Sequence, residues 1–234
     1  MGSNGCSSCE KKFCASKVPI FKNLDCDHLL KIINKIKHKS FDKGDVVFVE
    51  GNISEVLYFI NIGKIKLYKY TKDGKEQILH ILSEGDFFGE LDLLKSSAYK
   101  FNARAMEKTM VCILTKEEMK DIVMHNPEIG IELLESVGNR LAEAENLAQN
   151  LATNDIDSRM AYLILDLTEK YALAKGDKLI LKLPVSREEM ANYIGVTRET
   201  ISRKLKKFEE EGLIELVGTK SMIILNQEGI ENYI

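Results

Sequence analysis

The sequence predicts an α+β protein: an N-terminal β-roll, a long helix, and a C-terminal winged helix-turn-helix. Three observations predict it. From Phe41 to Leu114, short apolar runs are punctuated by Gly44, Gly51, Gly63, Gly74, Gly85 and Gly89. After Pro127 the apolar residues Leu134, Val137, Leu141, Ala144, Ala148 and Leu151 step by three and four, as one helix face does. Ser186–Lys207, SREEMANYIGVTRETISRKLKK, reads as two capped helices broken at Gly195.

At 234 residues the chain is long enough for two ordinary domains. Its 44% apolar and 29% charged residues are those of a globular protein. No apolar run approaches the roughly 18–20 residues of a membrane helix. Met1–Pro19 lacks the apolar centre of a secretion signal, so a cytoplasmic protein with no membrane partner is expected. The organisation predicted is a cysteine-rich segment (1–19), a β-roll domain (20–125), a long helix (126–153) and a winged helix-turn-helix module (154–234).

Met1–Pro19 is polar and shows no core-forming pattern. Leu24–Ile36 places Leu29, Leu30, Ile32, Ile33 and Ile36 on one broad face and is expected to be helical. Runs such as VVFVE, EVLYFI, KIKLYKY and EQILHIL have strand length and composition, and Asp73-Gly74 between the last two is a hairpin signal. About eight short strands closing into a barrel or roll are expected. Lys116–His125 follows as a short helix. The 3-4 stepping from Leu134 to Leu151 is a heptad seam suited to a two-stranded coiled coil. The alternative is an amphipathic helix lying on its own roll, its far face carrying Glu132, Glu135, Asn139, Arg140 and Glu143. Asn154–Ala174 is expected to be a further helix.

In the C-terminal module Ser186 caps the first helix, and Glu189 three residues on completes a capping box. Gly195 suits a left-handed C′ position, and Thr197 caps the second helix. A turn this short between capped helices fits a helix-turn-helix, whose second helix enters the major groove. From Thr197 to Lys207 that helix holds five cations against one anion, although the whole chain carries −3. Ile201, Leu205 and Phe208 fall on its core side, and Arg198, Glu199, Ser202 and Arg203 on the other. Arginine suits a guanine edge, glutamate accepts from cytosine, and serine serves either partner. Lys206 is expected on phosphate. Leu213–Val217 and Ser221–Leu225 read as a wing with Lys220 at its tip, a further phosphate contact, and Leu179–Val185 as an adjoining strand. A helix-turn-helix covers one half-site, so a homodimer on two-fold double-stranded DNA is expected.

This order of parts resembles the CRP/FNR superfamily of bacterial transcription regulators over nearly the whole chain. Gly85–Leu94, GDFFGELDLL, resembles the family's effector-pocket segment, and Val196–Ile214 its recognition helix. The resemblance implies a cyclic-nucleotide-binding-like β-roll, a dimer and RNA polymerase as partner. E-x-x-S-R, Glu199 to Arg203, is similar to FNR-type readers of TTGAT-like half-sites. Arg198 resembles the CRP branch, which leaves the outer bases of the half-site open, while a TGA-like core is implied.

Five cysteines occur, three within nine residues: Cys6, Cys9 and Cys14, a C-x2-C-x4-C pattern, with Cys26 and Cys112 further on. In a reducing compartment such a cluster points to metal or redox chemistry. Within the family the pattern is similar to the oxygen-sensing FNR branch, whose three N-terminal cysteines and one β-roll cysteine hold a [4Fe–4S] cluster. The resemblance implies Cys6, Cys9, Cys14 and Cys112 as ligands, and sensing of oxygen, nitric oxide or redox state. Where the family has five residues between its second and third cysteines this chain has four, which leaves Cys26 as a substitute ligand. Four thiolates also fit zinc, and thiol redox chemistry needs no metal.

Cyclic AMP is the effector of the CRP branch. Gly89 and Glu90 resemble the start of its cassette, but Lys100-Phe101 stands where an Arg-Ser pair would bind phosphate. Haem is a further alternative, although His28, His38, His80 and His125 show no ligand-type spacing. No paired acid and base, activated nucleophile or phosphate-cradling loop points to an enzyme. An iron–sulfur electron carrier is the alternative of another class.

Overall fold

The computed structural model describes residues 18–21, 24, 26–53, 55–90, 98–152, 155–176 and 178–234. Two compact units comprise residues 1–70 with 78–140, and residues 71–77 with 141–234.

In the first, a 3₁₀ turn (Pro19–Phe21) and helix α1 (Cys26–Lys35) precede eight strands. These are β1 (Lys37–Phe41), β2 (Val46–Phe48), β3 (Val56–Ile62), β4 (Ile65–Tyr70), β5 (Glu76–Leu82), β6 (Phe87–Phe88), β7 (Asn102–Ala105) and β8 (Thr109–Thr115). They form two four-stranded sheets, ordered β1-β8-β3-β6 and β2-β7-β4-β5, as the glycine-punctuated pattern predicts. Asp73-Gly74 does turn the β4–β5 connection, with the Thr71 N–H donating to the Lys75 carbonyl at 2.8 Å.

The apolar runs in β3 and β8 are near-continuous because both their faces are covered. Strand alternation sends Tyr58, Ile60 and Val111 into an inner core with Phe48, Leu67, Phe88 and Tyr99. Leu57, Phe59, Cys112 and Leu114 face an outer layer with Ile32 and Ile33 of α1. Val18, Ile20 and Phe21 are also buried in that layer, so the core begins two residues before the expected start of the roll at 20. The polar run KHKSF of β1 was not expected to be a strand. Backbone pairing with β8 holds it, His38 opposite Cys112, while its side chains up to Ser40 stay exposed.

Gly89 is required by the turn it makes. Its φ is +92°, and a Cβ there would sit 2.6 Å from the Val56 carbonyl oxygen. Helix α2 (Lys116–His125) starts at a capping box of Thr115 and Glu118, and α3 (Pro127–Ala152) follows Asn126. Ile129 and Leu133 of α3 pack on the outer layer of the roll, whereas Leu134 and Leu141 are 70% and 59% exposed.

The second unit has helix α4 (Ile156–Tyr171), strands β9 (Ala172–Lys175) and β10 (Lys178–Lys182), and helices α5 (Arg187–Ile194) and α6 (Arg198–Glu210). Strands β11 (Ile214–Val217) and β12 (Ser221–Ile224) and helix α7 (Gln227–Glu231) complete it. Its sheet is ordered β11-β12-β10-β9. The helix expected to run to Ala174 ends at Tyr171, because Ala172–Lys175 pairs with β10 around Gly176. The local preference of ALAK for helix yields to that pairing.

Candidate nucleic-acid interface

The two-helix unit forms through the local signals in its sequence. Ser186 accepts from the Glu189 N–H at 3.2 Å, and the Glu189 carboxylate accepts from the Ser186 N–H at 2.8 Å. Gly195 stops α5 in the left-handed region at φ 74° and ψ 38°. Thr197 Oγ1 accepts from the Thr200 N–H at 3.2 Å and starts α6. Ile201, Leu205 and Phe208 are fully buried, which fixes the roll of α6 about its axis. Arg159 of α4 donates to the Ile194 carbonyl at 2.8 Å and so binds the end of α5.

With that face inward, Arg198, Glu199, Arg203 and Lys206 are exposed. They lie at i, i+1, i+5 and i+8, a stripe that Ser202 joins at i+4, half-buried. Lys206 lies 3.6 Å from Glu210, one turn on, an exposed pair of little energetic weight. Lys220 is exposed in the turn joining β11 and β12, and its carbonyl accepts from the Leu183 N–H at 2.9 Å, tying the wing to the module.

Lys204 and Lys207 do something else. Both point to Asp157 in the first turn of α4, at 2.6 and 2.8 Å. Burial pushes the Asp157 carboxyl upward, but hydrogen bonds and charge from the two lysines outweigh it and hold the group below its ordinary 3.8. The hydrogen bond to Asp157 raises Lys207, which also lies 3.7 Å from Glu211 and over the Tyr233 ring. Two of the five cations are therefore internal struts between α4 and α6. The exposed face of α6 holds Arg198, Arg203 and Lys206 against Glu199. Asp157 and Arg159 are supporting residues that sequence reasoning missed. Their partners are distant in sequence, and no local pattern marks them.

In the β-roll, Cys112 is 1% exposed in the outer layer, between His38 of β1 and Phe59 of β3. Its Sγ lies 3.5 Å from His38 Nδ1. Cys6, Cys9 and Cys14 lie outside the described residues, and for Cys26 only the backbone, at the start of α1, is described. Among the described residues no group of three or more His, Cys, Asp or Glu side chains could hold a metal. Val18, four residues after Cys14, is buried in the layer that contains Cys112. At about 3.3–3.6 Å per residue, the intervening backbone spans up to about 14 Å.

Glu90 is nearly buried, and Arg140 of α3 meets it at 2.5 Å, donates to the Phe87 carbonyl and lies over the Phe87 ring. Arg140, expected on the far face of the helix, is thus an anchor to the roll. Phe101 packs against the inner core, its ring 5.8 Å from Phe48, and does not offer the hydroxyl a bound phosphate would need. Of the α3 seam, Val137 is half-buried, and the side chains of Ala144, Ala148 and Leu151 lie outside the described ones. No helix among the described residues is long and apolar enough to cross a membrane.

A roll of this topology followed by a capped helix-turn-helix with a wing is the architecture of a DNA-binding regulator. Residues 38–126 match the cyclic nucleotide-binding domain family, and residues 158–233 the Crp-like helix-turn-helix domain family. The chain is 30% identical over 220 residues to a probable transcriptional regulator flp of Lacticaseibacillus casei, covering 94% of this chain and 97% of the relative. It is 27% identical to a CRP-like cAMP-activated global transcriptional regulator of Mycobacterium tuberculosis H37Rv, covering 91% and 95%. It is 29% identical to the fumarate and nitrate reduction regulatory protein of Escherichia coli K12, covering 88% and 81%. The chain belongs to the CRP/FNR family of transcription regulators, and its function is DNA-binding regulation rather than catalysis.

Proposed function

We propose that the chain is a cytoplasmic homodimer that reads a two-fold operator with a TGA-like half-site core and acts on RNA polymerase. We further propose that it senses oxygen, nitric oxide or redox state through a [4Fe–4S] cluster. Glu199, Ser202 and Arg203 read base edges, Arg198 meets a base or phosphate, and Lys206 and Lys220 meet phosphates. Dimerisation uses the α3 seam of Leu134, Val137, Leu141, Ala144, Ala148 and Leu151. Exposed Leu134 and Leu141, one heptad apart, support this, since a helix packed wholly on its own roll would have covered them.

Cys6, Cys9, Cys14 and Cys112 would hold the cluster, with Cys26 as substitute. The donor set fits: thiolates are its usual ligands, one is held in the roll, and three precede a segment anchored in the same layer. The observation that carries the sensor reading is the burial of Val18, Ile20 and Phe21 in the layer of Cys112. When bound, the cluster would supply a gas- and redox-sensitive inorganic centre. Anaerobic purification with a visible spectrum and iron and sulfide analysis tests it: about four irons and four sulfides per chain, lost in air, are expected. A colourless, iron-free or zinc-loaded anaerobic protein overturns the sensor assignment.

The second reading is a regulator of cyclic-nucleotide type, supported by the matched roll domain and the cAMP-activated relative. Phe101 weighs against it. Calorimetry with cyclic AMP on the iron-free protein separates the two: saturable binding that raises operator affinity would favour this reading.

A further inference from the structure

Ser202, placed on the reading face, is already engaged. Arg187, the first residue of α5, donates from Nη1 to Ser202 Oγ at 3.2 Å, across fifteen residues of sequence. A guanidinium only donates, whereas a serine hydroxyl has one proton and two lone pairs. The contact therefore takes up one lone pair, sets a permanent cation beside the oxygen, and leaves the hydroxyl proton to be given elsewhere. Among the described residues the Ser202 hydroxyl makes no other hydrogen bond.

Arg187 is not placed there by helix chemistry. A cation in the first turn opposes the positive end of the helix dipole, and every acid in that turn, Glu188 and Glu189, suits it better. Its Nε is buried without a partner among the described residues, so the guanidinium is partly withdrawn from water beside α6.

We infer that Arg187 is a specificity-determining positioning residue. By donating to Ser202 it makes that hydroxyl a donor toward the DNA, so the base step that Ser202 meets favours an acceptor over a cytosine amino group. Thymine O4, purine N7 and guanine O6 are such acceptors in the major groove. The neighbouring cation repels a second N–H approaching the Ser202 oxygen and strengthens the donor on the other side. This inference rests on the reading of Ser202 as a base contact.

The test uses the full-length purified protein and a set of operators carrying each base at each half-site position, with equilibrium binding measured for all. Ser202→Ala locates the step it reads, where the preference for an acceptor base over cytosine should fall by about five- to tenfold. Arg187→Met should lower the same ratio by a similar factor, and the double variant should add nothing beyond either single one. Uniform weakening by Arg187→Met on all sequences, with a shallower salt dependence, identifies a phosphate contact and overturns the inference. An unchanged ratio in Arg187→Met, with Ser202→Ala effective, also overturns it. If Ser202→Ala alters preference at no step, the reading of Ser202 itself fails and the inference falls with it. Should Arg187→Met lose its helical circular dichroism, Arg187→Gln, neutral and helix-compatible, takes its place with the same expected outcomes.

Discussion

Arg203 and Lys206 are three residues apart on one exposed face, yet different consequences are expected of each. A base-reading arginine makes geometry-dependent contacts, so Arg203→Ala should cost about 1–3 kcal/mol on the cognate operator and relax discrimination at one position. Lys206→Ala should weaken binding to all sequences alike and lower the slope of log K against log salt by about one. Binding titrations over base-substituted sites and salt concentrations separate the two. Asp157 acts on stability instead. Its folded carboxyl is held below 3.8, so its contribution is complete above that value and is lost as pH falls through the lower folded value. Asp157→Asn leaves Lys204 and Lys207 without their counter-charge and should destabilise the module by about 2 kcal/mol at neutral pH. Thermal melts should show the difference from the parent shrinking below pH 3.8.

Among the elements, the turn from β6 into Glu90 depends most on one residue. Alanine at position 89 meets both a positive φ and the Val56 carbonyl at 2.6 Å, so the backbone must shift. Gly89→Ala should cost at least about 1–3 kcal/mol in denaturant unfolding, with m-values unchanged if the roll stays intact. The same turn presents Glu90 to Arg140, so an element read as an effector cassette also anchors α3. Cap residues Ser186, Thr197 and Gly195 and the hairpin at Asp73-Gly74 were all legible in sequence, because each is a local device with a fixed spacing. Strand β9 was not legible. ALAK has no strand signature, and only β10, reached through Gly176, makes it one.

For the whole molecule, the exposed apolar ridge of α3 decides the oligomeric expectation. Leu141→Glu should shift sedimentation of the full chain toward monomer and weaken binding to a two-fold operator by more than tenfold. Binding to a single half-site should change little, because one module would still make its own contacts. Equal loss on both DNAs would instead place Leu141 in the fold of the reading module. The proposed sensor has the same scale, since its ligands would come from segments far apart in the sequence.

Of the candidate site, the exposed face of α6 was visible in the spacing of Ile201, Leu205 and Phe208. Three buried residues at helical intervals determine by exclusion which side is left exposed. What the spacing could not reveal was the division of labour among the cations, because charge counting treats Lys204 and Lys207 like Lys206. Only folding brings Asp157 and Arg187 against α6, from 47 and 15 residues away in sequence, and only there does a cation become a strut or a hydroxyl become a donor. The same distinction separates Cys112 as a residue type from Cys112 as a thiol in the layer that Val18–Phe21 enters. Periodicity, caps and turns are local and therefore written along the chain. Counter-charges and shared layers arise between distant segments, and the tertiary structure alone decides them.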